Sequence, residues 1–343
     1  MMASRSTHAG WMVSPAFDLL FVANLTWLLA LLPGYLAASG MPHIEFWQLY
    51  FLTTPHRWIT LLLVAIDPDR RDGRPWLFVS LALVALAVVA GVYLCVGGFL
   101  CLLLVDYLWN GWHFASQHAG VLRIYSRKQG GGWVWLERYG LRLFVCYVIA
   151  RTAGWTTGWL EAWPTAMAWV LRLDWLLLGL PATLLLAELR DFRLRLPKLA
   201  YLASVCGLYS ALLLALHFGH RPLILSLTTA SALFHATEYL AIVSHYAQRR
   251  QHDGSPGLFQ SLARHWLLFL ACYLSLLGLL AALLQSNEWL STWTDPSTAS
   301  QLTTIWLGMN IWAAFLHYAY DGLIWKLRRP QTARALGAEP MPT

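Results

Sequence analysis

Long apolar segments, most of them followed by a short cluster of basic residues, constrain this chain more than any other feature. Residues 76–90 and 267–284 contain almost no polar group, and each lies in a stretch that approaches the roughly 20 residues a helix needs to cross a bilayer. Only 12% of the 343 residues are charged, whereas a soluble domain carries about 25%. One such segment could be the core helix of a soluble protein, but nine or ten could not. The sequence therefore predicts an all-α, polytopic membrane helical bundle.

Ten transmembrane helices account for these segments. The predicted spans lie near residues 14–38, 43–66, 76–95, 98–124, 138–158, 165–189, 198–217, 222–248, 265–285 and 301–325. The first segment is too long for a signal peptide and lacks a cleavage pattern, so we expect it to be retained. The spans form a single integral membrane domain over residues 1–343, with a disordered cytoplasmic tail at 331–343.

The basic residues predict the orientation of the chain. Twenty of the 24 Lys and Arg residues fall in or beside alternate loops, and the opposite set of loops holds only Arg221. Because cytoplasmic loops are enriched in Lys and Arg, both termini are expected in the cytoplasm, as in a protein of the inner (cell) membrane. The net charge of +7 does not indicate a nucleic-acid partner, because the basic residues form short clusters and no stripe.

Ionisable side chains inside the predicted spans are the candidate functional residues, because a charge in hydrocarbon is costly. The even-numbered spans hold nearly all of them, whereas the third, seventh and ninth spans are almost purely apolar and are expected to face lipid. The polar residues are His56 in the second span, Asp106, Asn110, His113, Gln117 and His118 in the fourth, His235, Glu238, Tyr239 and His245 in the eighth, and Asn310, His317, Tyr320 and Asp321 in the tenth.

Four of these histidines are predicted to lie at one depth. They precede the first basic residue of the following cytoplasmic loop by 9 to 14 residues, or roughly 14 to 21 Å at 1.5 Å per residue. The four are His56, His113, His235 and His317. A second level, closer to the cytoplasm, holds His118, His245 and Asp321. We expect the first four to point into one cavity in the cytoplasmic half of the membrane.

Histidines next to carboxylates favour a metal site. Neutral imidazoles are common ligands of iron, copper and zinc, and the five dispersed cysteines form no CxxC pair. A mixture of His with Glu or Asp suits non-haem iron, which keeps positions open for O₂ and substrate. The candidate metal ligands are His56, His113, His118, His235, His245 and His317, and the candidate catalytic groups are Glu238, Asp321 and Tyr239. For any single histidine, a hydrogen-bonded packing role is the alternative.

Four fragments carry a resemblance to a known family. TPHRW, WHFASQH, FHATEYLAIVSHY and LHYAYDG follow an order of histidine motifs that resembles the Brp/Blh-type membrane β-carotene-cleaving dioxygenases. The resemblance implies a helical membrane enzyme whose non-haem iron is held by His56, His113, His235 or His245, and His317, with Asp321 as the acidic residue after the last histidine. Two features differ, since position 60 is Thr60 where the family has Asp, and His235 and His245 are ten residues apart instead of four.

The sequence thus predicts a membrane metalloenzyme. A non-haem iron oxygenase or oxidase would act on an apolar lipid such as a carotenoid, a sterol or an acyl chain, with an electron-donor protein as a candidate partner. Two alternatives stay open: a haem-binding electron carrier that uses histidine pairs as axial ligands, and a transporter or proton relay that uses the same buried residues.

Overall fold

The computed structural model describes residues 10–32, 46–71, 73–158, 162–190, 195–251, 258–285 and 290–338. These residues are predominantly helical and include no strand, so the all-α prediction is confirmed for them. They contain nine long helices: α1 (Phe46–Ile66), α2 (Pro75–Val96), α3 (Leu100–Gln129), α4 (Leu141–Thr157), α5 (Pro164–Leu189), α6 (Leu196–His217), α7 (Arg221–Gln251), α8 (Trp266–Gln285) and α9 (Pro296–Ile324). Each of these nine helices overlaps one of the predicted spans from the second to the tenth.

Four of these helices are long and apolar enough to cross a membrane. They are Pro75–Val96, Pro164–Leu189, Leu196–His217 and Trp266–Leu284, the last within α8. The helices α1, α3, α7 and α9 carry the polar residues singled out above, and those residues lower their mean hydropathy. Membrane association is thus supported by four helices, whereas ten spans with cytoplasmic termini stay a prediction.

Local sequence sets the ends of the helices. The side chain of Asp295 accepts a hydrogen bond from the backbone N–H of Thr298 at 2.9 Å, and Pro296 occupies the first turn of α9, as is usual at helix N-termini. At the C-terminus of α2, Gly97 has φ 73° and donates its N–H to Tyr93 O at 2.8 Å. A left-handed residue of this kind ends the helix without steric cost because glycine has no Cβ.

The first predicted span differs from the structure. Within its described part, Pro15–Phe17, a π-helical turn at Asp18–Val22 and a 3₁₀ helix at Leu25–Ala30 replace the expected continuous α-helix. The buried carboxylate of Asp18 accepts the backbone N–H groups of Met12 at 2.6 Å and Val13 at 3.0 Å. Asn24, with φ 45°, then interrupts the helical turns. Residues 33–38 of this span lie outside the described residues.

The chain groups into two compact units, where the sequence predicts one domain. Unit 1 comprises Met1–Ile44, Gly111–Ile242 and Ala333–Thr343, and unit 2 comprises Glu45–Asn110 and Val243–Thr332.

The C-terminal tail, which the sequence predicts to be disordered, also differs from the prediction in its described part. Residues Pro330–Ala335 form a helix, and Leu336 and Ala338 are buried.

Helix α6 is the central element of unit 1. In an apolar stretch of 18 residues within α6, 67% of the residues are buried, whereas the corresponding value for α8 is 11%. The N-terminal segment packs against α6, where Trp27 Nε1 donates to Ser204 Oγ at 2.9 Å and Ser204 Oγ donates to Ala23 O at 2.5 Å. The expectation that the seventh span (198–217) faces lipid is therefore wrong, because neighbouring protein covers this helix.

In unit 2, α1 packs against α8 and α9, and α9 also packs against α2. Buried side chains of α9, among them Ile311, Phe315 and Tyr318, form the core with residues of α2 and α3. The outer surfaces of α2 and α8 stay apolar and exposed, as at Leu94 (81%) and Leu276 (70%). This packing holds the polar face of α9 next to that of α1.

Candidate metal centre

Two buried histidines lie side by side in unit 2. His56 of α1 and His317 of α9 have ring centroids 4.9 Å apart, with the rings edge to face at 89°. Both side chains are buried. Asp321 lies one turn after His317 and therefore on the same face of α9. His317 thus lies beside a second imidazole, that of His56, and beside the carboxylate of Asp321 on its own helix.

Thr60, one turn after His56 on α1, sets the orientation of His317. Its Oγ1 lies 2.7 Å from Nδ1 of His317 and 3.3 Å from Oδ1 of Asp321. If the hydroxyl proton points to Asp321, Nδ1 of His317 is the donor to Thr60, and the lone pair of the neutral ring is then on Nε2. Nε2 of His317 lies 3.7 Å from Oδ2 of Asp321.

The separation between these two atoms suits a shared cation. Donor atoms bound to one metal ion at about 2.1 Å each lie about 3 to 4 Å apart, and the 3.7 Å between Nε2 and Oδ2 falls in that interval. A histidine whose second nitrogen is held by a hydrogen bond has a fixed tautomer and ring orientation, as metal-binding histidines usually have. His317 and Asp321 thus offer two donor atoms at a metal-binding separation, and the neighbouring imidazole of His56 would complete the two-histidine, one-carboxylate set that is typical of non-haem iron.

Unit 1 holds a second pair of histidines. His113 of α3 and His235 of α7 have ring centroids 4.9 Å apart at 82°. Phe114 stacks on the ring of His235, with centroids 3.9 Å apart. The two pairs therefore have nearly the same ring geometry, although they lie in different units.

Glu238, one turn after His235, lies in a dense hydrogen-bond network in unit 1. Its Oε1 accepts from Tyr201 OH at 2.5 Å, and its Oε2 accepts from Gln117 Nε2 at 2.6 Å. His118 Nδ1 lies 3.2 Å from the same Oε2. Gln117 Nε2 also donates to the backbone carbonyl of His235 at 3.1 Å. Protein groups thus stabilise this buried carboxylate directly.

The predicted ligand His118 has protein partners at both ring nitrogens. Nδ1 lies 3.2 Å from Tyr201 OH, in addition to its contact with Glu238, and Nε2 lies 3.3 Å from Tyr209 OH. This arrangement favours the packing role that the sequence left open for each single histidine.

The other candidate residues are buried, but their roles stay predictions. Tyr239 belongs to unit 1 and His245 to unit 2. The prediction that four histidines share one ion also stays a prediction, because His56 and His317 belong to unit 2 whereas His113 and His235 belong to unit 1.

Sequence reasoning missed three residues of these clusters. Thr60 could have been found, because a residue four positions after His56 shares its face of the helix. Tyr201 and Tyr209 gave a weaker signal, because they lie in a segment that reads as uniformly apolar.

No protein-family model, curated protein or solved structure matches the chain, and its family therefore stays open.

Proposed function

We propose that this protein is an integral membrane metalloenzyme that uses non-haem iron to oxidise an apolar lipid. The observation that carries the proposal is the pair of donor atoms on His317 and Asp321, which lie 3.7 Å apart in unit 2. The ring of His56 lies beside His317, and the hydroxyl group of Thr60 contacts Nδ1 of His317. Two imidazoles and one carboxylate leave positions open on iron for O₂ and substrate, and bound iron would supply the activation of O₂.

The residues of the cluster have separate tasks. Nε2 of His317 and Oδ2 of Asp321 would hold the ion, and His56 would provide the second imidazole. Thr60 holds Nδ1 of His317 and the other oxygen of Asp321, so that one hydroxyl group positions two ligands. From the sequence we also propose His113 and His235 as ligands, since their spacing from the basic flanks resembles that of His56 and His317.

An apolar lipid is the proposed substrate because the cluster is buried and the order of histidine motifs resembles that of membrane carotenoid-cleaving dioxygenases. A carotenoid, a sterol or an acyl chain would enter from the bilayer. The haem alternative is less well supported, because axial ligands take opposite faces of a haem, whereas the rings of His56 and His317 lie edge to face at 4.9 Å.

We also propose that the chain crosses the inner membrane ten times, with both termini in the cytoplasm. Gly10 O accepts from Gln129 Nε2 at 3.5 Å at the basic end of α3, whereas Trp27 contacts Ser204 about two turns inside α6. Residues 10–32 thus run from a basic helix end towards the interior of unit 1, which supports a cytoplasmic N-terminus. Reporter fusions at Gly254 and Trp293 should read opposite compartments, and the same compartment would contradict the topology.

Metal analysis of the purified protein tests the function. We expect iron to be retained in wild-type protein and lost in His317→Ala, and the absorption spectrum to lack a Soret band. A sharp Soret band would favour the haem carrier, and metal-free wild-type protein would favour a transporter or a structural polar core. Conversion of a carotenoid, a sterol or an acyl lipid with O₂ consumption then identifies the substrate class.

A further inference from the structure

Two polar side chains lie on the exposed part of α3 in unit 2, outside the metal cluster. Asp106 and Asn110 are four residues apart and share one face of the helix. Both are half-buried, and their neighbours Leu104 (62%), Leu108 (64%) and Trp109 (37%) are exposed. If α3 crosses the bilayer, as the proposed function requires, this face of the helix meets lipid.

Only part of this polar pair is satisfied by the described protein. Oδ1 of Asp106 accepts a hydrogen bond from Tyr318 OH at 2.9 Å. No described residue makes a hydrogen bond or ion pair with the other carboxylate oxygen of Asp106 or with the carboxamide of Asn110. Polar groups at membrane depth are costly without a partner, so a ligand with polar atoms would stabilise this face.

The pair lies close to the proposed metal centre. Tyr318 follows His317 directly in α9, and their ring centroids are 5.6 Å apart. Trp109 packs over Tyr318 and Phe315, with centroids 5.5 and 5.7 Å away, and leaves part of its ring exposed. The side chain of Tyr318 would thus lie between the polar end of a lipid bound at Asp106 and the backbone of His317.

We propose that Asp106 and Asn110 bind the hydroxyl group of an alcohol-bearing lipid, and that this alcohol is the substrate class of the proposed enzyme. A hydroxyl group donates to the carboxylate of Asp106 and accepts from the amide N–H₂ of Asn110, so it can bind both side chains at once. A carboxylate ligand would be repelled by Asp106, and an ammonium group, which only donates, would leave the N–H₂ group of Asn110 without an acceptor. The exposed ring of Trp109 lies along the apolar body of the lipid.

Photolabelling with matched lipids tests this proposal. The full chain is placed in phosphatidylcholine nanodiscs with hexadecanol carrying a mid-chain diazirine and a terminal alkyne, or with the same compound as its methyl ether or its primary amine. Labelling of the peptide that contains Trp109 is measured by mass spectrometry. We expect the alcohol to label this peptide saturably, and the ether to label it about two- to tenfold less, as one lost hydrogen bond implies.

Three variants separate the contributions. Asn110→Leu places an apolar side chain of similar size on a lipid-facing surface, so the protein should fold while labelling by the alcohol falls about two- to tenfold. Asp106→Asn keeps an acceptor for the hydroxyl group and for Tyr318, and should retain most of the labelling. Leu104→Ala, on the same helix, is the control and should label like wild type.

The proposal is overturned if alcohol and ether label wild type equally, or if Asn110→Leu labels like wild type. Stronger labelling by the amine that is lost in Asp106→Asn would also overturn it and would indicate a cation site. Iron content is measured on the same samples. Iron-free protein with alcohol-selective labelling would refute the metalloenzyme and keep the alcohol site, whereas iron-loaded protein without selectivity would do the reverse.

Discussion

Unit 1 and unit 2 each hold a histidine beside a carboxylate, and the two pairs differ in what surrounds them. In unit 1, Glu238 contacts three side-chain donors, and both nitrogens of His118 contact protein groups. In unit 2, Thr60 contacts Nδ1 of His317, and Nε2 lies 3.7 Å from Asp321, beyond hydrogen-bond distance. A carboxylate supplied with donors is stabilised by the protein, whereas the second geometry suits an ion between its two atoms. We therefore expect the two carboxylates to have different tasks.

The largest expected difference is in metal retention. Asp321→Asn deletes the charge of a proposed ligand, and His317→Ala deletes an imidazole. We expect each to weaken iron retention by more than the roughly hundredfold that marks the upper range for residues behind the ligands. Glu238→Gln should stay closer to wild type. The measurement is iron per folded protein after purification in detergent. Equal loss in Glu238→Gln and Asp321→Asn would remove the distinction between the units.

Replacing Thr60 should give an intermediate effect. Thr60→Val keeps the shape of the side chain but removes the hydroxyl group that contacts His317 and Asp321. Because such partners fix the orientation of the ligands, iron retention should fall by about ten- to hundredfold.

Thr60→Ser restores the hydroxyl group and is the matched control for this change. Iron retention should return close to the wild-type level. If Thr60→Val binds iron like wild type, Thr60 does not orient the ligands.

In unit 1, removing a hydrogen-bond partner of Glu238 should lower the stability of the protein without changing its iron content. Tyr201→Phe removes the donor to Oε1 of the buried Glu238, and an unsatisfied buried carboxylate oxygen should lower the free energy of unfolding by about 1–3 kcal/mol. Thermal unfolding and iron content are measured on the same preparation. Iron loss without destabilisation would give Glu238 the role assigned here to Asp321.

The smallest effect is expected far from both clusters, at the start of α9. Hydrogen bonds from Ser297 and Thr298 lower the pKa of Asp295 below its ordinary value. The cap therefore contributes at pH values above the unfolded pKa of about 3.9, and the contribution is lost as the pH falls through the lower folded pKa.

Asp295→Ala should lower the melting temperature slightly at pH 7, and the difference from wild type should shrink below about pH 4. Iron content should not change. A difference in melting temperature that grows in acid would contradict the cap, and iron loss would show that the end of α9 influences the metal cluster.

The sequence predicted the elements of both clusters better than their contacts. Spacing along the helices placed His317 and Asp321 on one face, and the structure confirms that they lie together. The role of Glu238 could not be predicted, because two of its contacts come from Gln117 and Tyr201 on other helices. The spacing of polar residues within one helix carries no information about its partner helices.

Two further differences have a common physical cause. Hydropathy records how apolar a segment is, but does not tell whether lipid or protein will cover it, so α6 read like the exposed α2 and α8. In the first predicted span, the buried carboxylate of Asp18 accepts hydrogen bonds from the backbone N–H groups of Met12 and Val13, and a continuous α-helix does not form. Such a contact depends on tertiary packing, and the apolar residues around Asp18 conceal it in the sequence.

The opposite surroundings of α6 and α8 have a consequence for natural variation. Lipid accepts any apolar side chain, so exposed positions of α8 such as Leu276 should exchange freely among Leu, Ile, Val and Phe in related sequences. The side chains of α6 fit against protein atoms, where the loss or gain of even one methylene group is felt. Gly207 illustrates the limit, because a Cβ there would lie 3.2 Å from the ring of Trp27. Two helices of similar hydropathy should therefore diverge at very different rates, and α6 should keep its residues long after α8 has changed most of its own.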